Sequence, residues 1–247
     1  MKRFVVPPER LTEPAITIDQ PEELHHLRDV LRLKPGDRVV CFDGRGRECD
    51  GIIQRQSASQ VVIDIVGSIR ERQAALDLWL APAVLKAEHF DWLVQKATEL
   101  GATRISPLLT QRTVVRLTEE QRRRKQERWL RIARESAKQC GRATIPAIDV
   151  PVAFETALNT LKDAPLLLIP TLAVTTIPLG EVLNRVASLQ QVAALIGPEG
   201  DFSREEVALA ERYGARPVSL GRLTLRAETA AVAVLAMLSY ALSESML

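Results

Sequence analysis

The 247 residues suffice for one large domain or two of ordinary size, and 46% apolar side chains can bury a sizeable core, which excludes wholesale disorder. No stretch reaches the roughly 18 apolar residues needed to span a bilayer. The formal net charge of +2 says nothing by itself about nucleic acid, but its distribution does. Residues 101–142 carry ten Arg and two Lys against four Glu, whereas the first 60 residues balance ten basic against ten acidic side chains. A basic segment in a nearly neutral chain is a candidate footprint for phosphate. Met1-Lys2-Arg3-Phe4 leads into Pro7-Pro8 without an apolar export segment, so a cytoplasmic location is expected. Cys41, Cys49 and Cys140 are odd in number and lack CxxC spacing, which speaks against a disulfide framework or a zinc site.

The first 70 or so residues read as β-rich. A strand is predicted over 38–42, after the turn Lys34-Pro35-Gly36-Asp37, and Asp43-Gly44-Arg45-Gly46 turns the chain into a second at 48–54. A third strand covers 60–67, and one short helix covers 22–31. This suggests a small barrel, with the polar stretch 68–73 as linker. From residue 76 short apolar runs alternate with helical stretches. Strands are expected at 76–81, 104–110, 166–170, 192–197 and 217–221, and helices at 88–100, 119–141, 179–187, 204–213 and 226–243. Such alternation implies an α/β domain with a mostly parallel sheet.

The helix from residue 119 starts at a capping box, Thr118 with Gln121. At about 100° per residue, Arg124, Arg128, Arg131, Lys138 and Arg142 share one face, interrupted by Glu135, while Trp129, Leu130, Ala133, Ala137 and Cys140 share the other. A solvated face and an RNA-backbone contact explain the basic stripe equally well.

The three histidines, His25, His26 and His89, all precede the last 158 residues. That excludes a Ser-His-Asp triad there and a His-rich metal cluster anywhere, so no metal is expected. No GxxxxGK[ST] occurs, and Gly44-Arg45-Gly46 lies in a hairpin rather than after a strand. Two strand ends remain. An apolar run enters Gly197-Pro198-Glu199-Gly200, with Ser203 and Glu206 spaced as a capping box, and a shorter run ends at Gly221 before Arg222 and Arg226. Ligands of open α/β sheets bind beyond the carboxyl ends of strands, where both loops belong. Ordinary turns would account for the glycines, but not for Glu199, Arg226 and Glu228 gathered beside them.

"LIGPEGDFS" (195–203) followed by "LGRLTLRAETA" (220–230) resembles the signature of the RsmE family, SPOUT-class methyltransferases acting on N3 of a uracil in 16S ribosomal RNA. His26, Val30-Leu31-Arg32 and Gly36 are similar to that family's N-terminal segment, Phe42-Asp43-Gly44 to its hairpin, and "QKATELG" and "SAKQCGR" to its central motifs. Gln111 stands where the family usually has Glu, and Lys138 where an acidic residue is common.

The resemblance implies a PUA-like β-barrel RNA-binding domain over 1–72 and a SPOUT methyltransferase domain with a trefoil knot over 73–247. It also implies a homodimer, and S-adenosylmethionine held by Leu172, by Ile196, Gly197, Pro198, Glu199 and Gly200, and by Leu220, Gly221, Leu223 and Leu225. Arg32 joins the basic stripe as an expected contact to 16S RNA of the small subunit. Arg226 is the candidate to stabilise charge on the uracil imide. Glu228 is the candidate to accept its proton, or else a first-turn acid favoured by the helix dipole. A non-catalytic RNA-binding assembly factor of the same architecture is the alternative, and an enzyme for a small anionic substrate a third reading.

Overall fold

The computed structural model describes residues 2–12, 14–72, 76–185 and 189–243. The chain forms two units, one of residues 1–74 with 134–145 and one of 75–133 with 146–247. In the first unit β1 (Lys2–Val5), β2 (Ala15–Ile18), β3 (Arg38–Phe42), β4 (Arg47–Gln56) and β5 (Val61–Glu71) make one sheet in the order β1-β3-β4-β5-β2. β1 runs parallel to β3 and the other pairs are antiparallel. β1 and β2 lie at opposite ends of this order, so the expected barrel is a half-barrel. α1 (Pro21–His25), with Pro21 in its first turn, runs on as a π turn over His26–Val30. Phe4, Leu11, Ile16, Leu27, Cys41 and Ile63 form the core between helix and sheet. The expected linker is strand as far as Glu71, because Arg70 reaches across to Asp50 (2.5 Å) and Glu48 (3.5 Å). Its last residue, 73, lies outside the described residues.

The second unit is the α/β domain. Its elements are β6 (Asp77–Pro82), α2 (Ala87–Glu99), β7 (Arg104–Ile105), β8 (Leu108–Leu109), α3 (Glu119–Cys140), β9 (Ala147–Ile148), β10 (Val152–Ala153) and α4 (Phe154–Leu161). There follow β11 (Leu167–Pro170), β12 (Ile177–Pro178), α5 (Leu179–Leu183), β13 (Gln191–Ile196), α6 (Arg204–Arg212), β14 (Ala215–Ser219) and α7 (Ala227–Ser243). The main sheet has the order β12-β14-β11-β13-β6-β7-β9, with every pairing parallel. The single strand expected over 104–110 is two. Between its halves lies Pro107, which has no N–H to donate, and β8 pairs instead with β10. α4 was not anticipated, although Phe154, Ala157, Leu158 and Leu161 repeat at helical spacing and are all buried. They pack with Phe202, Leu195 and Ile169, and each large side chain removed from water contributes about 1.5–3 kcal/mol. α5 is shorter than expected, and residues 186–188 of that prediction lie outside the described residues.

Within the second unit α3 begins with the predicted reciprocal cap, Thr118 N–H to Gln121 Oε1 (2.9 Å) and Gln121 N–H to Thr118 Oγ1 (3.3 Å). Trp129 and Ala133 are buried, Trp129 against Phe90 with ring centroids 4.1 Å apart. Leu130, placed on that face by periodicity, is 41% exposed. Arg124, Arg128 and Arg131 are exposed; Arg124 pairs with Glu120, and Arg128 with Asp91 at 2.6 Å.

The last turns of α3, from Arg134, belong to the first unit. There Ala137 packs with Val5 and Phe42, and Arg3 donates to the Arg142 carbonyl at 3.0 Å. Cys140, expected on the buried face, is exposed. Lys138 does not extend the basic stripe. Its side chain is 8% exposed and lies 2.7 Å from Glu23 and 2.8 Å from Glu135. Burial pushes the Glu23 carboxyl above its ordinary pKa in spite of Lys138. Arg142 is half-buried, donates to Thr144 at 3.0 Å, and has its pKa lowered by the same desolvation. Arg32 is exposed, and its φ of 52° places a non-glycine residue in the left-handed region just after the π turn.

Candidate active site

β14, β11 and β13 are neighbours in the sheet and parallel, so their carboxyl ends lie side by side. The three segments that leave them enclose a cleft of about 650 Å³, part of it open to solvent. Pro170, Thr171 and Leu172 form one wall, Ile196 to Glu199 with Asp201 a second, and Ser219 to Gly221 with Leu223 to Leu225 a third; Ala227 and Ala230 of α7 complete it. Of the expected cofactor residues, Leu172, Ile196, Gly197, Pro198, Glu199, Leu220, Gly221, Leu223 and Leu225 come together here. Gly200 does not line the cleft; its carbonyl accepts from Arg112 Nη1 at 2.7 Å, tying the loop to the segment after β8.

The loop after β13 is firmly built. Ser203 and Glu206 form the predicted capping box at the start of α6, and the other oxygen of Glu206 accepts from the Gln111 amide at 2.8 Å. A Cβ on Gly197 would meet Asp201 Oδ1 and the Phe202 nitrogen at 3.1 Å, so this glycine permits loop packing rather than ligand approach. Gly221 differs. Its φ of 133° suits glycine, and a Cβ there would have nothing within 4 Å.

Arg226 precedes α7, is exposed, and has no side-chain partner among the described residues. A cation at a helix N-terminus opposes the helix dipole, by about 0.3–1 kcal/mol, so this position favours an arriving anion. Glu228 is not a cleft residue. It lies 3.2 Å from His89 of α2, with its side chain 14% exposed, and links α7 to α2. α2 follows the carboxyl end of β6 and so brings His89, which lies outside the last 158 residues, against the first turn of α7. The carboxylates that do line the cleft are Glu199, which is exposed, and Asp201, whose oxygens are all engaged by hydrogen bonds. Asp201 is not among the residues expected here, although it is a charged residue directly after Gly-Pro-Glu-Gly.

Residues 72–239 match the family model of an RNA methyltransferase domain, and residues 18–66 that of an RNA methyltransferase PUA domain. The chain is 34% identical to ribosomal RNA small subunit methyltransferase E of Synechocystis sp., over 98% of this chain and 78% of that one. It is similar, at 33% identity and a TM-score of 0.86 over 97% of both chains, to a putative methyltransferase of Legionella pneumophila solved with its cofactor SAM bound. The ribosomal RNA small subunit methyltransferase E of Neisseria gonorrhoeae, also bound to S-adenosylmethionine, superposes with a TM-score of 0.83 at 26% identity over 97% of both chains. With a PUA-like half-barrel, a SPOUT-type parallel sheet and this agreement over nearly its whole length, the chain belongs to the ribosomal RNA small subunit methyltransferase E (RsmE) family.

Proposed function

We propose that this protein transfers a methyl group from S-adenosylmethionine to N3 of a uridine in 16S ribosomal RNA, acting as a homodimer. The observation that carries this is the cleft at the ends of β14, β11 and β13, in a chain 33% identical to a relative with bound SAM. The residues fit that cofactor. Leu172 and Leu223 stand 67% and 80% exposed at the lip, apolar side chains without apolar cover, and Gly221 opens the backbone between them. A cleft lined by apolar groups and free backbone suits a purine nucleoside with a short side arm. Bound there, S-adenosylmethionine supplies an electrophilic methyl group on a sulfonium centre.

The chain's own residues have to deal with the uracil. N3 carries a proton, and losing it spreads negative charge over O2 and O4. Arg226, without a side-chain partner among the described residues at the start of α7, meets that charge with its guanidinium, supported by the first-turn amides of the helix. Glu199 is better placed than Glu228 to take the proton, directly or through water, since it is exposed in the cleft while Glu228 is held by His89. The target base must leave its stack, because N3 lies on the Watson–Crick edge. Arg124, Arg128 and Arg131 in one unit, and Arg32 in the other, are exposed cations available for phosphate contact.

Small ribosomal subunits from cells lacking the endogenous enzyme, incubated with the protein and tritiated S-adenosylmethionine, should yield labelled 3-methyluridine. Label in another nucleoside would refute the N3 assignment. Cofactor binding without any transfer would favour the assembly-factor reading.

A further inference from the structure

We infer that Asp201 is a positioning residue: it clamps the segment after β11 to the loop after β13 and so sets the shape of the cofactor cleft. This rests on the reading of the cleft given above. Asp201 adopts φ 59°, one of two described non-glycine residues in the left-handed region, and side chains resist that conformation. Its carboxylate compensates. Oδ2 accepts from the Leu172 amide at 2.7 Å and from Thr171 Oγ1 at 2.9 Å, and Oδ1 accepts from the Phe202 amide at 2.7 Å.

These bonds fall where the sheet can no longer hold the chain. The last ladder bond beyond β11, Thr171 N–H to the Val218 carbonyl, is already stretched to 3.3 Å. Leu172, next in line, forms the cleft wall with its side chain mostly in solvent, and the Asp201 carboxylate is what fixes its amide. On the other side Asp201 is anchored in the fold. Its own amide donates to the Pro198 carbonyl at 2.9 Å, and the next residue, Phe202, is fully buried against Phe154. A rigid loop thus reaches across to the segment that carries Leu172, whose next residues Ala173 and Val174 pack on the core. Residues in strained backbone regions persist where the surroundings fix them, and here the fixing contacts line the proposed site.

Three forms of the whole protein separate this role from a general one. Asp201→Gly removes the carboxylate and also relieves the backbone strain. Asp201→Asn tolerates the left-handed backbone, but its amide offers one accepting oxygen where the carboxylate offers two. In the glycine variant the melting temperature should stay within about 3 °C of the original, hydrogen exchange at the Leu172 amide without cofactor should accelerate at least about tenfold, and affinity for S-adenosylmethionine by calorimetry should fall about ten- to a hundredfold. The KM for the cofactor should rise to match, with kcat at saturation changed less than about twofold. The asparagine variant should fall between. Unaltered Leu172 exchange in either folded variant overturns the clamp, and so does a glycine variant whose melting temperature collapses together with its affinity. If the unaltered protein binds no S-adenosylmethionine, the reading of the cleft fails instead, while the exchange measurement still decides on the clamp.

Discussion

Arg226 sets a cation at the positive end of α7 and pairs with no acidic side chain among the described residues, the first-turn acid Glu228 being engaged by His89. Such an arrangement is useful only to something negative that arrives later. If that is the imide charge of uracil, the guanidinium acts on the transition state more than on the bound substrate. Arg226→Ala should then lower turnover by roughly 10² to 10³, the range for losing one oxyanion-type donor, with cofactor and RNA affinity little changed. Lysine should rescue only in part, since a point charge cannot reproduce a planar fork. Loss of melting temperature and cofactor affinity along with turnover would instead make Arg226 a loop anchor. The same assays separate the acids: Glu199→Gln should lower kcat with stability unchanged, and Glu228→Gln, by freeing His89, should mainly lower the melting temperature. Both Arg226 and Glu199 stand out in the sequence as charges beside glycines at strand ends. The roles of Glu228 and Asp201 do not, because they depend on partners 139 and about 30 positions away in the chain.

Among the elements, α3 shows what periodicity can and cannot tell. A 3.6-residue repeat finds the helix, its cap and the buried Trp129, yet it treats all five basic residues of the stripe alike. The chain does not, because α3 leaves one unit and ends in the other, where Lys138 meets Glu23. That contact joins residues more than a hundred positions apart, and no local pattern carries it. α4 carries a legible helical repeat in Phe154, Ala157, Leu158 and Leu161, whereas β9, β10 and β12, of two residues each, are too short to leave a pattern. For the exposed part of α3, changing Arg124, Arg128 and Arg131 together to Gln should weaken RNA binding and flatten its dependence on salt, leaving cofactor affinity unaltered. Normal RNA binding would make the three a solvated face. For the buried part, Lys138→Met should destabilise the protein by about 3 kcal/mol in urea unfolding at neutral pH, because Glu23 is left charged and unpaired. The sign of its pH dependence follows from the direction of the shift. A carboxyl whose folded pKa is raised favours folding below its unfolded pKa, and that contribution disappears as pH rises through the folded value. The destabilisation should therefore shrink as pH falls through the carboxylate range, and adding Glu23→Gln should abolish most of it. A loss independent of pH and of Glu23 would assign the effect to packing.

At the scale of the whole molecule the question is what covers α7. Its sequence offers an apolar face of Ala230, Ala231, Val234 and Leu238, expected to serve a dimer. The fold uses Ala231, Val234 and Leu238 inside one subunit, where α7 packs on α2, β6 and β13. What α7 leaves open is Met237, 41% exposed, and Tyr240, 69% exposed, three residues apart and so on one face of the helix. Large apolar side chains left in water at helical spacing, in a family expected to pair, make this the surface to test for self-association. The unaltered protein should sediment as a dimer at micromolar concentration, and its melting temperature should rise with protein concentration, because association stabilises by mass action. Met237→Glu combined with Tyr240→Glu would place two charges in such an interface and should yield a folded monomer with a concentration-independent melting temperature. Because α7 also closes the cleft through Ala227 and Ala230, cofactor affinity measured on that monomer tells whether pairing merely accompanies the site or completes it. A dimer that survives both charges would place the contact on another face, and a wild-type monomer at these concentrations would remove the homodimer from the proposal altogether.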